Sequence, residues 1–166
     1  MNIILIGMPG CGKSTVGVVL AKRLGYGFVD ADLVVQSQQG KLLQQIIDTQ
    51  GVEALLKAEA AALKSINCTN TVIATGGSAV YSAEGMAHLK RSGIALYIDL
   101  PLEQLAERLT NLDTRGVAGA ADMTLGQIYD ERTPLYKAVA DITVNAAGLT
   151  ITQVTDRVID EISKMQ

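Results

Sequence analysis

A chain of 166 residues is the size of one ordinary domain, and 48% hydrophobic residues give it material for a substantial core, aliphatic because Trp is absent and aromatics are 4%. A net charge of −3 and a pI near 5.1 argue against general nucleic-acid binding, which needs a basic excess or patch. No apolar run approaches the roughly 20 residues that span a bilayer, and two cysteines, Cys11 and Cys68, make neither a disulfide framework nor a metal cluster. The opening Met1-Asn2-Ile3 lacks the basic n-region of a signal peptide, so the expectation is a cytosolic protein.

The first predicted strand, Asn2 to Ile6, runs into Gly7-Met8-Pro9-Gly10-Cys11-Gly12-Lys13-Ser14-Thr15. A helix follows from about Lys13 to Leu24, with Val16, Val19 and Leu20 on one face and Gly25 as its stop. Strand, glycine loop and helix are the context that identifies Gly, four residues, Gly-Lys-Ser as a phosphate-binding loop. Its glycines let several backbone N–H groups turn inward on a phosphate, and the helix adds its positive end. The nucleotide would lie on Gly10, Cys11, Gly12, Lys13, Ser14 and Thr15. Lys13 would reach the β- and γ-phosphates, and the Ser14 hydroxyl would hold Mg²⁺. Cys11 sits where a thiol pKa can fall, but many small residues fit that place, so no redox role is expected.

A second strand, Gly27 to Asp30, ends in Asp30-Ala31-Asp32. Short helical segments follow at about Asp32 to Gln39 and Leu42 to Thr49, then a longer helix from about Val52 to Ile66. A third strand, Thr71 to Ala74, closes on Thr75-Gly76-Gly77-Ser78. Ala83 to Arg91 is predicted helical, Ile94 to Leu100 a strand, and Pro101 to about Thr110 a helix. Asn111 to Met123 has no clear period. Thr124 to Ala138 is helical again, with Pro134 expected to kink or split it. Asp141 to Asn145 is a fifth strand and Thr150 to Lys164 a closing helix.

This alternation predicts an α/β fold of the P-loop NTPase type: a three-layer sandwich with a five-stranded parallel sheet and helices on both faces. Ligands of such sheets bind beyond the carboxyl ends of the strands. The phosphate loop, the Asp pair and the glycine pair all lie at such ends. Near a bound Mg·ATP, one of Asp30 and Asp32 would hold the metal and the other would orient or deprotonate an attacking hydroxyl. The alternative is a strand-to-helix turn in which Asp32 caps the helix. Glu59 falls on the apolar stripe Val52, Leu55, Leu56, Glu59, Leu63, Ile66. It must therefore face a polar pocket or a cation, or else reach solvent at the rim. Lys57, four residues after Glu53, is expected in a surface ion pair. Gly76 and Gly77 would let a ligand approach the backbone, or simply make a turn. Arg108, Arg115 and Arg132 are candidates for the cations that phosphoryl transfer needs, the alternative being solvated side chains. Arg115 lies in the aperiodic stretch, as a closing lid would require. His88 is expected on the surface.

Asn2 to Thr15, Phe28-Val29-Asp30-Ala31-Asp32, Ala74-Thr75-Gly76-Gly77-Ser78-Ala79-Val80 and Arg132-Thr133-Pro134-Leu135-Tyr136 together resemble shikimate kinases, in order and over nearly the whole chain. The resemblance implies a single P-loop kinase domain over residues 1–166, with a mobile lid at about 111–123 and an acceptor-binding helical region at about 32–66. It implies transfer of the γ-phosphate of ATP to the 3-hydroxyl of shikimate with Mg²⁺, on the route to aromatic amino acids. Lys13 would then contact phosphates, Ser14 and Asp30 hold the metal, and Asp32 meet the substrate hydroxyls as a base. Gly76 and Gly77 would touch the substrate through their backbone, with Ser78 beside them. Arg115 would be the lid arginine, Arg132 would pair with the substrate carboxylate, and Arg108 would flank the adenine.

Three positions depart from the family pattern. Where the family has Phe-Arg-x-x-Glu, this chain has Leu55-Leu56-Lys57-Ala58-Glu59, so the guanidinium that grips the shikimate carboxylate is replaced by Leu56 while Glu59 remains. Losing a buried contact of that kind costs about 2–5 kcal/mol. Ser78 stands for a third glycine, and Arg115-Gly116-Val117-Ala118 lacks the Pro-Leu that follows the lid arginine. The expected partners are ATP and a small hydroxylated, anionic substrate, with no nucleic acid and no membrane, and the expected state is a monomer. The rival readings are a kinase of this fold acting on another hydroxylated acceptor, gluconate or a nucleotide included, and a nucleotide-binding module without transfer.

Overall fold

A computed structural model describes residues 1–110 and 123–165. β1 (Asn2–Ile6) is buried along its whole length, as a continuous apolar run at the centre of a parallel sheet should be. It pairs in parallel with β3 (Thr71–Ala74) on one side, Ile4 beside Ile73, and with β4 (Gly93–Asp99) on the other, Ile4 beside Ala95. β2 (Gly27–Asp30) adds to β3 and β5 (Ile142–Asn145) to β4, giving the parallel order β2-β3-β1-β4-β5 among the described residues. The one polar residue of β1, Asn2, ties the opposite edge together. Its amide donates to Cys68 O at 2.8 Å and Ser92 Oγ at 3.1 Å, and its oxygen accepts from Thr71 N–H at 3.1 Å.

The helices make this the expected three-layer α/β fold. α1 (Lys13–Leu24) lies on β1, β2 and β3 and against α8 (Ile151–Ser163), while α5 (Ala83–Lys90) and α7 (Leu125–Val139) contact β4. α6 (Leu102–Thr110) leads out to residue 110. The expected lid with Arg115 lies outside the described residues, apart from Met123. α2 (Ala31–Gln39), α3 (Leu43–Gln50) and α4 (Val52–Ser65) pack on one another around Val35, Ile46, Leu55, Ala58 and Ala62, a smaller apolar cluster beside the main core. No helix among the described residues is long and apolar enough to cross a membrane.

Local expectations needed correction in several places. α7 runs unbroken from Leu125 to Val139, so Pro134 does not split it. Both Pro134 and Asp130, whose carbonyl loses its donor, are exposed, and water can take up that carbonyl. α2 begins at Ala31, so Asp32 lies in the first turn of the helix. The cap is Asp30, whose Oδ1 accepts from Asp32 N–H at 2.9 Å, and not Asp32. A single 3₁₀ turn, Ala79–Tyr81, follows the glycine pair. His88 is half-buried, with Nε2 2.8 Å from Ile66 O at the end of α4.

Candidate active site

The phosphate loop is shaped by Gly10 and Gly12, at φ 80° and 97°, a left-handed conformation that side-chain-bearing residues rarely adopt. Gly12 is the N-cap of α1 and offers no side chain to its first turn, so those amides have no side-chain cap and sit at the loop. Lys13 is buried, and its Nζ donates to Gly7 O at 2.7 Å and Met8 O at 2.9 Å, with Cys11 Sγ 3.7 Å away. Ser14 and Thr15 are exposed at the start of the helix. From α6, Arg108 Nη1 donates to Gly10 O at 3.4 Å, which brings this cation over the loop.

At the end of β2, Ser14 Oγ donates to Asp30 Oδ2 at 3.1 Å. A hydroxyl and a carboxylate side by side next to a phosphate cradle suit Mg²⁺, which keeps several waters and takes few protein oxygens. Among the described residues no cluster of three or more His, Cys, Asp and Glu could hold a metal, so the donors here would be these two oxygens together with phosphate and water.

The acceptor side is organised by the turn after β3. Thr75 pins that turn to the end of β1, its N–H and its hydroxyl both donating to Leu5 O, at 3.1 and 2.9 Å. Gly76 faces two carboxylates: a Cβ there would stand 2.8 Å from Asp32 Oδ1 and 3.3 Å from Glu59 Oε1. Gly77 lies between the phosphate loop and α7, and its Cβ would meet Pro9 Cδ at 2.7 Å and Arg132 Nη1 at 2.9 Å. The glycine pair thus gives room to side chains from four other elements, a role beyond the backbone approach expected of it. Asp32, Glu59 and Gly76 line one small pocket with Val35 and Leu63.

Glu59 is buried, with 8% of its surface exposed, which removes the solvated-rim alternative. Its Oε2 accepts a hydrogen bond from the Ser78 hydroxyl. Burial pushes its pKa up from 4.5 to about 7; the Ser78 hydrogen bond opposes the rise, Asp32 adds to it and Arg132 opposes it. Arg132 is 1% exposed, its Nε donates to Tyr81 Oη at 3.3 Å, and its guanidinium lies 5.3 Å from the Tyr81 ring centroid. Tyr136, one turn further along α7, donates to Gly77 O at 2.5 Å, and burial holds its hydroxyl far above the ordinary tyrosine range.

Lys13, Ser14, Asp30 and Arg108 thus gather around the phosphate loop, and Asp32, Glu59, Gly76, Gly77, Ser78 and Arg132 around the glycine turn. Arg115 lies outside the described residues. Leu56 is half-buried against the α2–α3–α4 cluster, and Lys57 Nζ lies 3.8 Å from Glu53 Oε1 in the expected surface pair. Sequence reasoning gave no role to Tyr81 or Tyr136, the two phenols that steady Arg132 and Gly77. The four-residue spacing of Ile128, Arg132 and Tyr136 was the available signal, since it marks one helix face.

The chain as a whole is similar to known proteins. A relative in Francisella tularensis subsp. holarctica, a shikimate kinase, is 35% identical over 161 residues, covering 95% of this chain and 92% of the relative. The solved shikimate kinase of Acinetobacter baumannii in complex with shikimate is 28% identical with a TM-score of 0.89, covering 99% of this chain and 94% of that one. The shikimate kinase of Aquifex aeolicus is 30% identical with a TM-score of 0.84, covering 98% and 96%. The shikimate kinase family model matches residues 9–163, and the chain belongs to the shikimate kinase family.

Proposed function

We propose that this enzyme transfers the γ-phosphoryl group of ATP to the 3-hydroxyl of shikimate. The observation that supports this most is the junction at Gly77, where the phosphate loop, through Pro9, and the acceptor-side cation, Arg132, both approach the space that a side chain at Gly77 would fill. A donor phosphate on one side and an anionic acceptor on the other would meet there.

In this reading the loop amides and Lys13 hold the β- and γ-phosphates, and Arg108 lies beside the nucleotide. Ser14 and Asp30 would hold Mg²⁺, which would neutralise charge on the phosphates when bound. Asp32 orients the acceptor hydroxyl and takes its proton as the new P–O bond forms and the bond from the γ-phosphorus to the β–γ bridging oxygen breaks, releasing ADP. Arg132 pairs with the acceptor carboxylate, and Arg115 is assigned to the transferring phosphate by resemblance alone. The same reading carries the expectation of a monomeric enzyme of the cytoplasm.

Leu56 favours a second reading, a kinase of the same fold for another hydroxylated acceptor. Its side chain packs with the apolar cluster, so the guanidinium that the family pattern places here is missing from the acceptor side. Coupled detection of ADP separates the two. Shikimate should drive ADP release with a weak KM, and Asp32→Asn should lower kcat by about 10²–10⁴-fold. No ADP above background at saturating shikimate, with release from another acceptor in a panel of hydroxylated compounds, would transfer the assignment to that acceptor.

A further inference from the structure

Two details of the glycine turn bear on how the acceptor is chosen. Ser78 stands at the N-cap of the Ala79–Tyr81 turn, yet its side chain makes no capping hydrogen bond there. Its backbone, at φ −90° and ψ 0°, needs no glycine. The hydroxyl is instead spent on a buried carboxylate 19 residues earlier in the chain, Oε2 of Glu59. The other oxygen, Oε1, lies on the Gly76 side, where Asp32 Oδ1 approaches the same point and the pocket opens.

We infer that Ser78 is a positioning residue of the acceptor site: by anchoring Oε2 it turns Oε1 of Glu59 toward the pocket, where it reads a hydrogen-bond donor, a hydroxyl or an ammonium, and disfavours an anionic group. This deepens the proposed function and rests on it, because it takes the pocket at Gly76 as the acceptor's. It also changes the part expected of Ser78, which acts through Glu59 and not by touching the substrate. With Leu56 contributing no charge, Glu59 depends on Ser78 for orientation. The charged groups that face Glu59 are Asp32 from α2 and Arg132 from α7. A hydrogen bond to a carboxylate favours its charged form, so Ser78 also keeps Glu59 ionised at lower pH than burial alone would allow. Acceptor binding should therefore follow the ionisation of Glu59, and losing the hydroxyl should move that dependence to higher pH.

Steady-state kinetics with shikimate and saturating Mg·ATP, between about pH 5.5 and 9, test this on the intact protein. Ser78→Ala should raise KM about tenfold at neutral pH, leave kcat within about twofold, and shift the acidic limb of kcat/KM upward. Ser78→Thr, which keeps a hydroxyl, should behave as the parent, and Ser78→Ala should add nothing on top of Glu59→Gln. An unchanged KM and limb in Ser78→Ala, or an undiminished effect in the Glu59→Gln background, overturns the inference. Carbon-13 carboxyl resonances of glutamate-labelled protein supply a readout that needs no turnover, with the Glu59 signal assigned by its loss in Glu59→Gln. Its titration midpoint should rise in Ser78→Ala. If shikimate is not turned over but the midpoint rises, the acceptor assignment fails and the positioning role stands. If the midpoint stays where it was, the positioning role is wrong whatever the kinetics show.

Discussion

Glu59 makes the stability of the ligand-free protein depend on pH. Its pKa is raised from 4.5 to about 7, burial being the first cause. Below the unfolded value both states hold the proton, and its contribution to folding is fully present. Between the two values the folded protein keeps a proton that the unfolded chain releases, so stability falls as pH rises. The loss is complete above about pH 7 and amounts to about 3 kcal/mol. Thermal unfolding followed from about pH 5 to 8 should show the decline, and Glu59→Gln, which cannot ionise, should flatten it. Identical slopes for the two proteins would assign the pH dependence to other groups. At this scale the sequence was informative where chemistry is local. Gly10, Gly12, Lys13 and Ser14 lie within one loop, and Glu59 betrays itself by interrupting an apolar stripe. The partnership of Glu59 with Ser78 was not legible, because a hydrogen bond between residues far apart in the chain leaves no period in either segment. Leu56 was visible as a missing guanidinium; that it would join the α2–α3–α4 cluster was not.

α7 shows how one helix serves a site it does not end in. Ile128, Arg132 and Tyr136 recur every four residues and form its buried side, while Pro134 is exposed. Arg132 is delivered toward the glycine turn, and Tyr136 clamps the carbonyl of Gly77. Tyr136→Phe would remove the donor from that part-buried carbonyl and should destabilise the protein by about 1 kcal/mol, read as a lowered denaturant midpoint with an unchanged slope. It should also weaken acceptor binding more than nucleotide binding, since Gly77 separates Arg132 from the phosphate loop. A variant with the parent's midpoint would show that the clamp is dispensable. The helices and strands themselves were legible because each carries its own apolar period and its own glycine or polar stop. The exceptions are instructive. The Ala79–Tyr81 turn is too short to have a period, α2 starts one residue earlier because Asp30 caps it, and Pro134 is tolerated because it faces outward.

In the whole molecule, β1 at the centre of the sheet places the phosphate loop between the acidic and glycine turns of β2 and β3 and the helices that follow β4. Mg·ATP, bound by the folded protein alone, should stabilise it by about 3 kcal/mol at a hundredfold excess over Kd, read as a raised unfolding temperature. Lys13→Ala should abolish most of that shift; an undiminished shift would move the nucleotide to another site. The regular alternation of strand and helix told of a parallel sheet, but not which strands are neighbours, since the order β2-β3-β1-β4-β5 is settled by packing across the layers. That order has a further result. The outermost strands, β2 and β5, are four residues long each. Rims this short give an incoming extended segment few unpaired amides and carbonyls to zip onto, so crowded copies of the protein have little template for fibre growth.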